Sequence, residues 1–142
     1  MKMKNIYEIF DEFEEASNKK QRMDVIQKNL SKPLVKVLEY TFHPGYQWKV
    51  QGLPEDYELK PIPQGMSYCQ LGTELRKIYM FQEGHPTAEA LTKRKQEELL
   101  VQLLESIEPR EAEIVMGIFR KDQGVRGLDY AFVKEAFPDL LP

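Results

Sequence analysis

A chain of 142 residues with 42% hydrophobic content can bury one core but is short for two independent domains, so a single domain over residues 1–142 is expected. Charged residues make up 30%, yet the net charge is only -3 and the pI about 5.5, so no overall positive field draws the chain to nucleic acid or anionic lipid. One cysteine and two histidines exclude an internal disulfide and leave too few soft ligands for structural zinc or an iron-sulfur cluster; no cofactor is expected.

The opening Met1-Lys2-Met3-Lys4-Asn5 leads into an acidic helical pattern, and no stretch approaches the roughly 18 apolar residues of a membrane span. A soluble, cytoplasmic protein in a reducing compartment is expected, with no membrane contact. Apolar spacing at i, i+3, i+4 and i+7 predicts a first helix from Ile6, Ile9, Phe10 and Phe13. Met23, Ile26 and Leu30 suggest a second. Leu34, Val37, Leu38 and Phe42 suggest a third, with Pro33 in its first turn and an end near His43-Pro44-Gly45. Residues 46–67 break any period at Gly52, Pro54, Pro61, Pro63 and Gly65. They read as a long ordered loop, because Tyr46, Trp48, Tyr57 and Tyr68 offer rings to bury.

Leu71, Leu75, Ile78 and Tyr79 mark a fourth helix. Leu99, Leu100, Leu103, Leu104 and Ile107 line a fifth that starts near Thr87. Pro109 opens a sixth carrying Ala112, Val115, Met116 and Phe119. A short last helix over residues 129–136 carries Ala131, Phe132 and Ala136 and stops before Pro138. Strand signals are weak. The expectation is an all-α fold, a single compact bundle of about six or seven helices with one long Pro/Gly-rich loop.

Nucleophilic catalysis needs a base beside its nucleophile, and the imidazoles, His43 and His85, both precede prolines in turns. Cys69 lacks a basic cluster and opens an apolar helix face, so it reads as packed. Asp11-Glu12, Glu14-Glu15 and Glu97-Glu98 are neighbours whose side chains diverge on a helix, which makes them solvated faces. No P-loop and no G-x-G-x-x-G is present, and no small-molecule substrate is expected. Gly124-Val125-Arg126-Gly127 spells G-x-x-G between two helical patterns. Its backbone amides could approach a phosphate chain, or it could simply close a helix and turn.

Charge distribution says more than net charge. Lys19, Lys20, Arg22, Lys28, Lys32 and Lys36 stand against Asp24 alone, six cations against one anion, a local excess of five. A second group, Arg120, Lys121, Arg126 and Lys134 with Asp122 and Asp129, flanks the glycine turn. If the fold joins them they form a phosphate-contacting surface, since such contacts dominate duplex affinity; otherwise they are a solvated amphipathic face.

Two segments carry a family resemblance. Leu34-Val35-Lys36-Val37-Leu38-Glu39-Tyr40-Thr41-Phe42 with Gly45-Tyr46-Gln47-Trp48-Lys49-Val50 resembles the third helix and turn of the N-terminal DNA-binding domain of ATP-dependent DNA ligases of the T-even phage type. Glu113-Ile114-Val115-Met116-Gly117-Ile118-Phe119-Arg120-Lys121-Asp122, then Gly127, then Lys134 with Phe137-Pro138-Asp139-Leu140-Leu141-Pro142, is similar to that domain's end. Residues 51–111 match only in being helical, and the turn after Asp122 is one residue longer than the family's.

The resemblance implies an all-helical domain that grips the minor groove with helix ends, turns and basic side chains and with little sequence preference. The family's catalytic lysine belongs to a K-x-D-G motif in the following domain; Lys121-Asp122-Gln123-Gly124 has Gln where that motif has Asp, so lysyl-AMP chemistry is not expected. A freestanding, phage-encoded, non-catalytic duplex DNA binder is implied, acting in a bacterial cytoplasm. Its contacts would be Lys19, Lys20, Arg22, Lys28, Lys32, Lys36, Arg120, Lys121, Gly124, Arg126, Gly127 and Lys134. The alternative is an adaptor or inhibitor that binds a host or phage protein with the same fold. An enzyme ranks last, because only carboxylates could serve as acids and bases.

Overall fold

Asn18, Ser31, Thr92 and Asp129 each stand just before a helix, and each side chain accepts the backbone N–H three residues on, at 2.9, 3.3, 3.1 and 2.8 Å. Such caps satisfy one of the amides a helix start leaves without a partner. Pro33, Pro86 and Pro109 occupy first-turn positions, where proline removes no bond.

The structure, a computed structural model, describes residues 4–50 and 71–142. The helices are α1 (Ile6–Glu15), α2 (Lys19–Lys28), α3 (Lys32–Phe42), α4 (Leu71–Glu74), α5 (Pro86–Ala90), α6 (Lys93–Glu105), α7 (Pro109–Arg120) and α8 (Tyr130–Ala136); a 3-10 helix, Leu75–Phe81, continues α4. Extended pairing among the described residues is one isolated bridge between Trp48 and Gln82. The protein is an all-α bundle. Of the expected Pro/Gly-rich loop only residues 46–50 are described; Tyr57, Tyr68 and Cys69 lie outside.

α7 is the central element, packing against α3, α6 and α1. It buries Ala112, Ile114, Val115, Gly117, Ile118 and Phe119, more than the single stripe its periodicity suggests, because neighbours cover it on several sides. In α1 the stripe Ile6, Ile9, Phe10 and Phe13 is buried together with Tyr7, each side chain worth roughly 1.5–3 kcal/mol of transfer free energy. One apolar cluster joins these helices to Leu34, Val37 and Leu38 of α3 and Leu100, Leu103 and Leu104 of α6.

The described residues form eight α-helices, the bundle expected of about six or seven. The structure corrects individual elements at three points. The fifth helix is divided, since Leu91 is extended at ψ 140° and Thr92 caps a fresh start. Buried Gln96 secures the break, its Nε2 donating to the Met80 and Ala88 carbonyls at 3.2 and 3.1 Å. The fourth helix tightens after one turn into 3-10 geometry. There the 3.6-residue period fails, so Leu75 and Ile78 are buried but Tyr79 is 43% exposed. Leu30 falls past the end of α2 and is 51% exposed.

Candidate nucleic-acid interface

α7 ends at Lys121, the one described non-glycine residue with positive φ, 61°. A left-handed lysine costs roughly 1–2 kcal/mol, and its side chain shows what offsets it. The ammonium turns inward and donates to the Tyr40, His43 and Tyr46 carbonyls at 3.2, 2.7 and 2.9 Å, meeting part-buried acceptors at and just beyond the end of α3. Burial holds this lysine below its ordinary pKa. Two residues on, Gln123 Nε2 donates to Thr41 Oγ1 at 2.9 Å and to the Ile114 carbonyl at 3.0 Å. Its amide lies against Gly117, where a Cβ would come within 2.6 Å of Oε1. A glycine inside α7 therefore admits the side chain that pins the turn to α3.

The chain then forms a turn in which Leu128 N–H donates to the Val125 carbonyl at 3.0 Å. Gly127 occupies the position that requires positive φ, at +85°. The Arg22 guanidinium of α2 lies against this glycine, with Nη1 2.8 Å from where a Cβ would stand. It also stands over the Phe13 ring, 5.9 Å to the centroid, and its Nε is buried without a hydrogen-bond partner among the described residues. Lys19 in the same first turn of α2 pairs with Glu135 of α8. The fold thus brings the start of the first basic group to the glycine turn of the second.

The remaining expected binding residues are distributed differently. Lys20, Lys32, Arg120 and Arg126 are exposed and form no ion pair among the described residues. Lys28 pairs with Glu12 at 3.5 Å and Lys36 with Glu39 at 3.6 Å. Lys121 is turned inward, its ammonium donating to three carbonyls at and just beyond the end of α3. Lys134 is turned inward too: its Nζ donates to the Pro138 and Leu141 carbonyls at 2.9 and 2.7 Å and fastens the C-terminal segment. Of the two readings open for G-x-x-G, the amide cradle is already occupied at two positions. Gly124 N–H donates to Asp122 Oδ1 at 2.9 Å and Arg126 N–H to Glu14 Oε1 at 3.3 Å, so the chain's own carboxylates take both amides. Arg120 lines a cleft of about 390 Å³ with Asp11, Glu14 and Glu113 rather than a uniformly cationic face. Beside it Arg110 donates twice to Asp11, at 2.6 and 2.7 Å, and holds that carboxyl below its ordinary pKa.

His43 and His85 are turn residues whose Nδ1 atoms accept the Gly45 and Thr87 amides at 2.9 and 3.2 Å. The polar clamp of Lys121 and Gln123 escaped sequence reasoning; the available signal was a lysine, rather than glycine, directly after an apolar helix. Above the clamp, Tyr40, Tyr46, Trp48 and Phe119 pack edge-on or stacked at 4.9–5.9 Å.

Tyr46 hydroxyl donates to Glu39 Oε1 at 2.9 Å, and burial, then this carboxylate, push its pKa from 10.0 to about 12. Between those values the unfolded chain loses the phenolic proton while the folded one keeps it, so stability should fall as pH rises across the interval. Tyr46→Phe should flatten that decline in denaturant titrations at alkaline pH; an unchanged slope would assign the decline to other groups.

The fold and this mixed surface define a small helical domain in which an arginine and a glycine turn from distant parts of the chain share one face. The chain belongs to the Family of unknown function (DUF6433), whose profile matches residues 9–125. None of the curated proteins matches it. Among the described residues no helix is long and apolar enough to cross a membrane.

Proposed function

We propose that the protein is a non-catalytic, sequence-tolerant duplex DNA-binding module similar to the N-terminal domain of ATP-dependent DNA ligases, phage-encoded and acting in the bacterial cytoplasm. The observation that carries this reading is Arg22 lying on Gly127, because it unites the first turn of α2 with the turn at residues 124–127. Lys20 and Arg126, exposed and unpaired among the described residues, supply cations on those two segments, with Lys32 further along the chain. Phosphate contacts of this kind set affinity without reading sequence.

The paired variant Lys20→Glu with Arg126→Glu should weaken binding to a nicked or intact duplex by at least tenfold at low salt. The slope of log affinity against log salt should fall by about 0.9 for each phosphate that the variant leaves unneutralised. Gel-shift titration checks both; no complex with wild type at low salt ends the duplex reading.

A second reading, an adaptor for a host or phage protein, is favoured by the carboxylates that neutralise Lys19 and Lys28 and occupy the turn amides. It requires a stoichiometric protein partner that survives nuclease digestion.

A further inference from the structure

Among the described residues three clefts differ sharply in charge. One carries Asp11, Glu14 and Glu113 with Arg110 and Arg120, another Glu12, Glu15 and Asp24 with Lys28. The third, about 440 Å³, opens between the first turns of α3 and residues 72–76, and no carboxylate is among its described lining residues. It holds three cations, Lys32, Lys36 and Arg76. Lys32 and Arg76 are exposed and form no ion pair among the described residues. Lys36 keeps a loose 3.6 Å pairing with Glu39 and stands 5.5 Å over the Tyr40 ring. Thr73 adds a hydroxyl.

The other half of the lining is apolar and stiff. Pro33, Leu75 and the Tyr40 ring form it, and Gly72 lets the two walls close, since a Cβ there would stand 3.2 Å from Pro33 Cγ. Three cations gathered with no carboxylate nearer than the loosely held Glu39 repel one another, a cost that an anionic ligand lowers. An apolar floor beside them favours a ligand whose uncharged part is flat or hydrophobic, and the volume lies within the usual range for small-ligand sites.

We propose that this groove binds the phosphate of a nucleotide unit. Lys32, Lys36 and Arg76 meet the phosphate, Thr73 donates to it, and the sugar and base lie along Pro33, Leu75 and Tyr40. A free mononucleotide and the 5′-phosphorylated end of a strand share this chemistry.

Calorimetric titration of the full chain at low salt separates them, using thymidine 5′-monophosphate, thymidine, inorganic phosphate, and a short single strand with a 5′-phosphate or a 5′-hydroxyl. The mononucleotide should bind more tightly than phosphate alone, and thymidine should not bind. A further gain specific to the 5′-phosphorylated strand identifies a strand end, and equal affinity for the two phosphorylated ligands identifies a free nucleotide. Arg76→Gln and Lys32→Gln, both at exposed positions, should each weaken binding roughly tenfold, the scale of one charge-assisted hydrogen bond.

The inference is overturned if none of these ligands binds, if thymidine or phosphate binds as well as the mononucleotide, or if both variants retain wild-type affinity. It shares Lys32 with the duplex reading but not Lys20 or Arg126: Lys20→Glu with Arg126→Glu should leave mononucleotide affinity unchanged, so failure of one does not mimic failure of the other.

Discussion

Phe13→Ala should lower the unfolding free energy by about 3–5 kcal/mol in denaturant titration. The ring is fully buried and meets Phe132 edge-on at a centroid distance of 5.0 Å, while Arg22 stands 5.9 Å above it. Three helices, α1, α2 and α8, therefore rest on one side chain. Truncation to Ala removes the ring's transfer free energy and leaves a void that helices held elsewhere along their length fill only in part. Phe13→Leu keeps much of the volume and should cost less than half as much. A loss below about 1 kcal/mol for the Ala variant would mean that the site collapses and that the three helices are not braced there. Arg22 also loses its support, so if the proposed duplex binding holds it should weaken in the Ala variant even at temperatures where it is fully folded.

Lys121→Met should cost about 2–4 kcal/mol, a large effect for a residue at the end of a helix. The substitution keeps the length of the side chain and removes the ammonium, leaving the Tyr40 and Tyr46 carbonyls without this donor and the His43 carbonyl with the Tyr46 N–H at 3.2 Å. Hydrogen bonds to a charged group exceed neutral ones, and a buried acceptor left unmet carries its own desolvation cost. Lys121→Gly separates the two contributions. It loses the same three bonds but relieves the left-handed backbone at φ 61°, so it should be less destabilising than the Met variant by about 1 kcal/mol. Equal stability of Met variant and wild type would show that water serves the three carbonyls as well as the ammonium does.

The native lysine also has a pH signature. Because burial lowers its pKa from 10.5, the unfolded chain binds that proton more tightly, and this group's contribution should rise slightly as pH approaches 10.5. Tyr46 acts in the opposite direction over its own interval, so the two variants should have alkaline profiles of opposite curvature.

Much of the architecture was legible in the chain. Period-3.6 stripes locate α1, α3 and α7 because an amphipathic helix must turn one face to a core, and Pro33 and Pro109 mark first turns because proline fits there without losing a bond. Where the period is short or broken the pattern misleads. Tyr79 looks like the fourth member of a stripe, but a 3-10 segment rotates it into solvent. Leu91 looks helical until Thr92 offers a cap one residue later.

The candidate surface was legible in composition but not in arrangement. A local excess of lysine and arginine around residues 19–36 and beside the glycine turn is a property of the sequence, as is the glycine that a positive φ demands at position 127. Which of those cations face water depends on what stands opposite each when the helices pack. Lys121 and Lys134 turn to carbonyls, Lys19 and Lys28 meet glutamates from other helices, and Arg76, in no basic run, joins Lys32 and Lys36 across a groove. Helix positions follow from local backbone geometry and hydrophobic period, which neighbours in sequence determine. Charge partners follow from close approach between residues far apart in the chain, and only the packed core sets those distances.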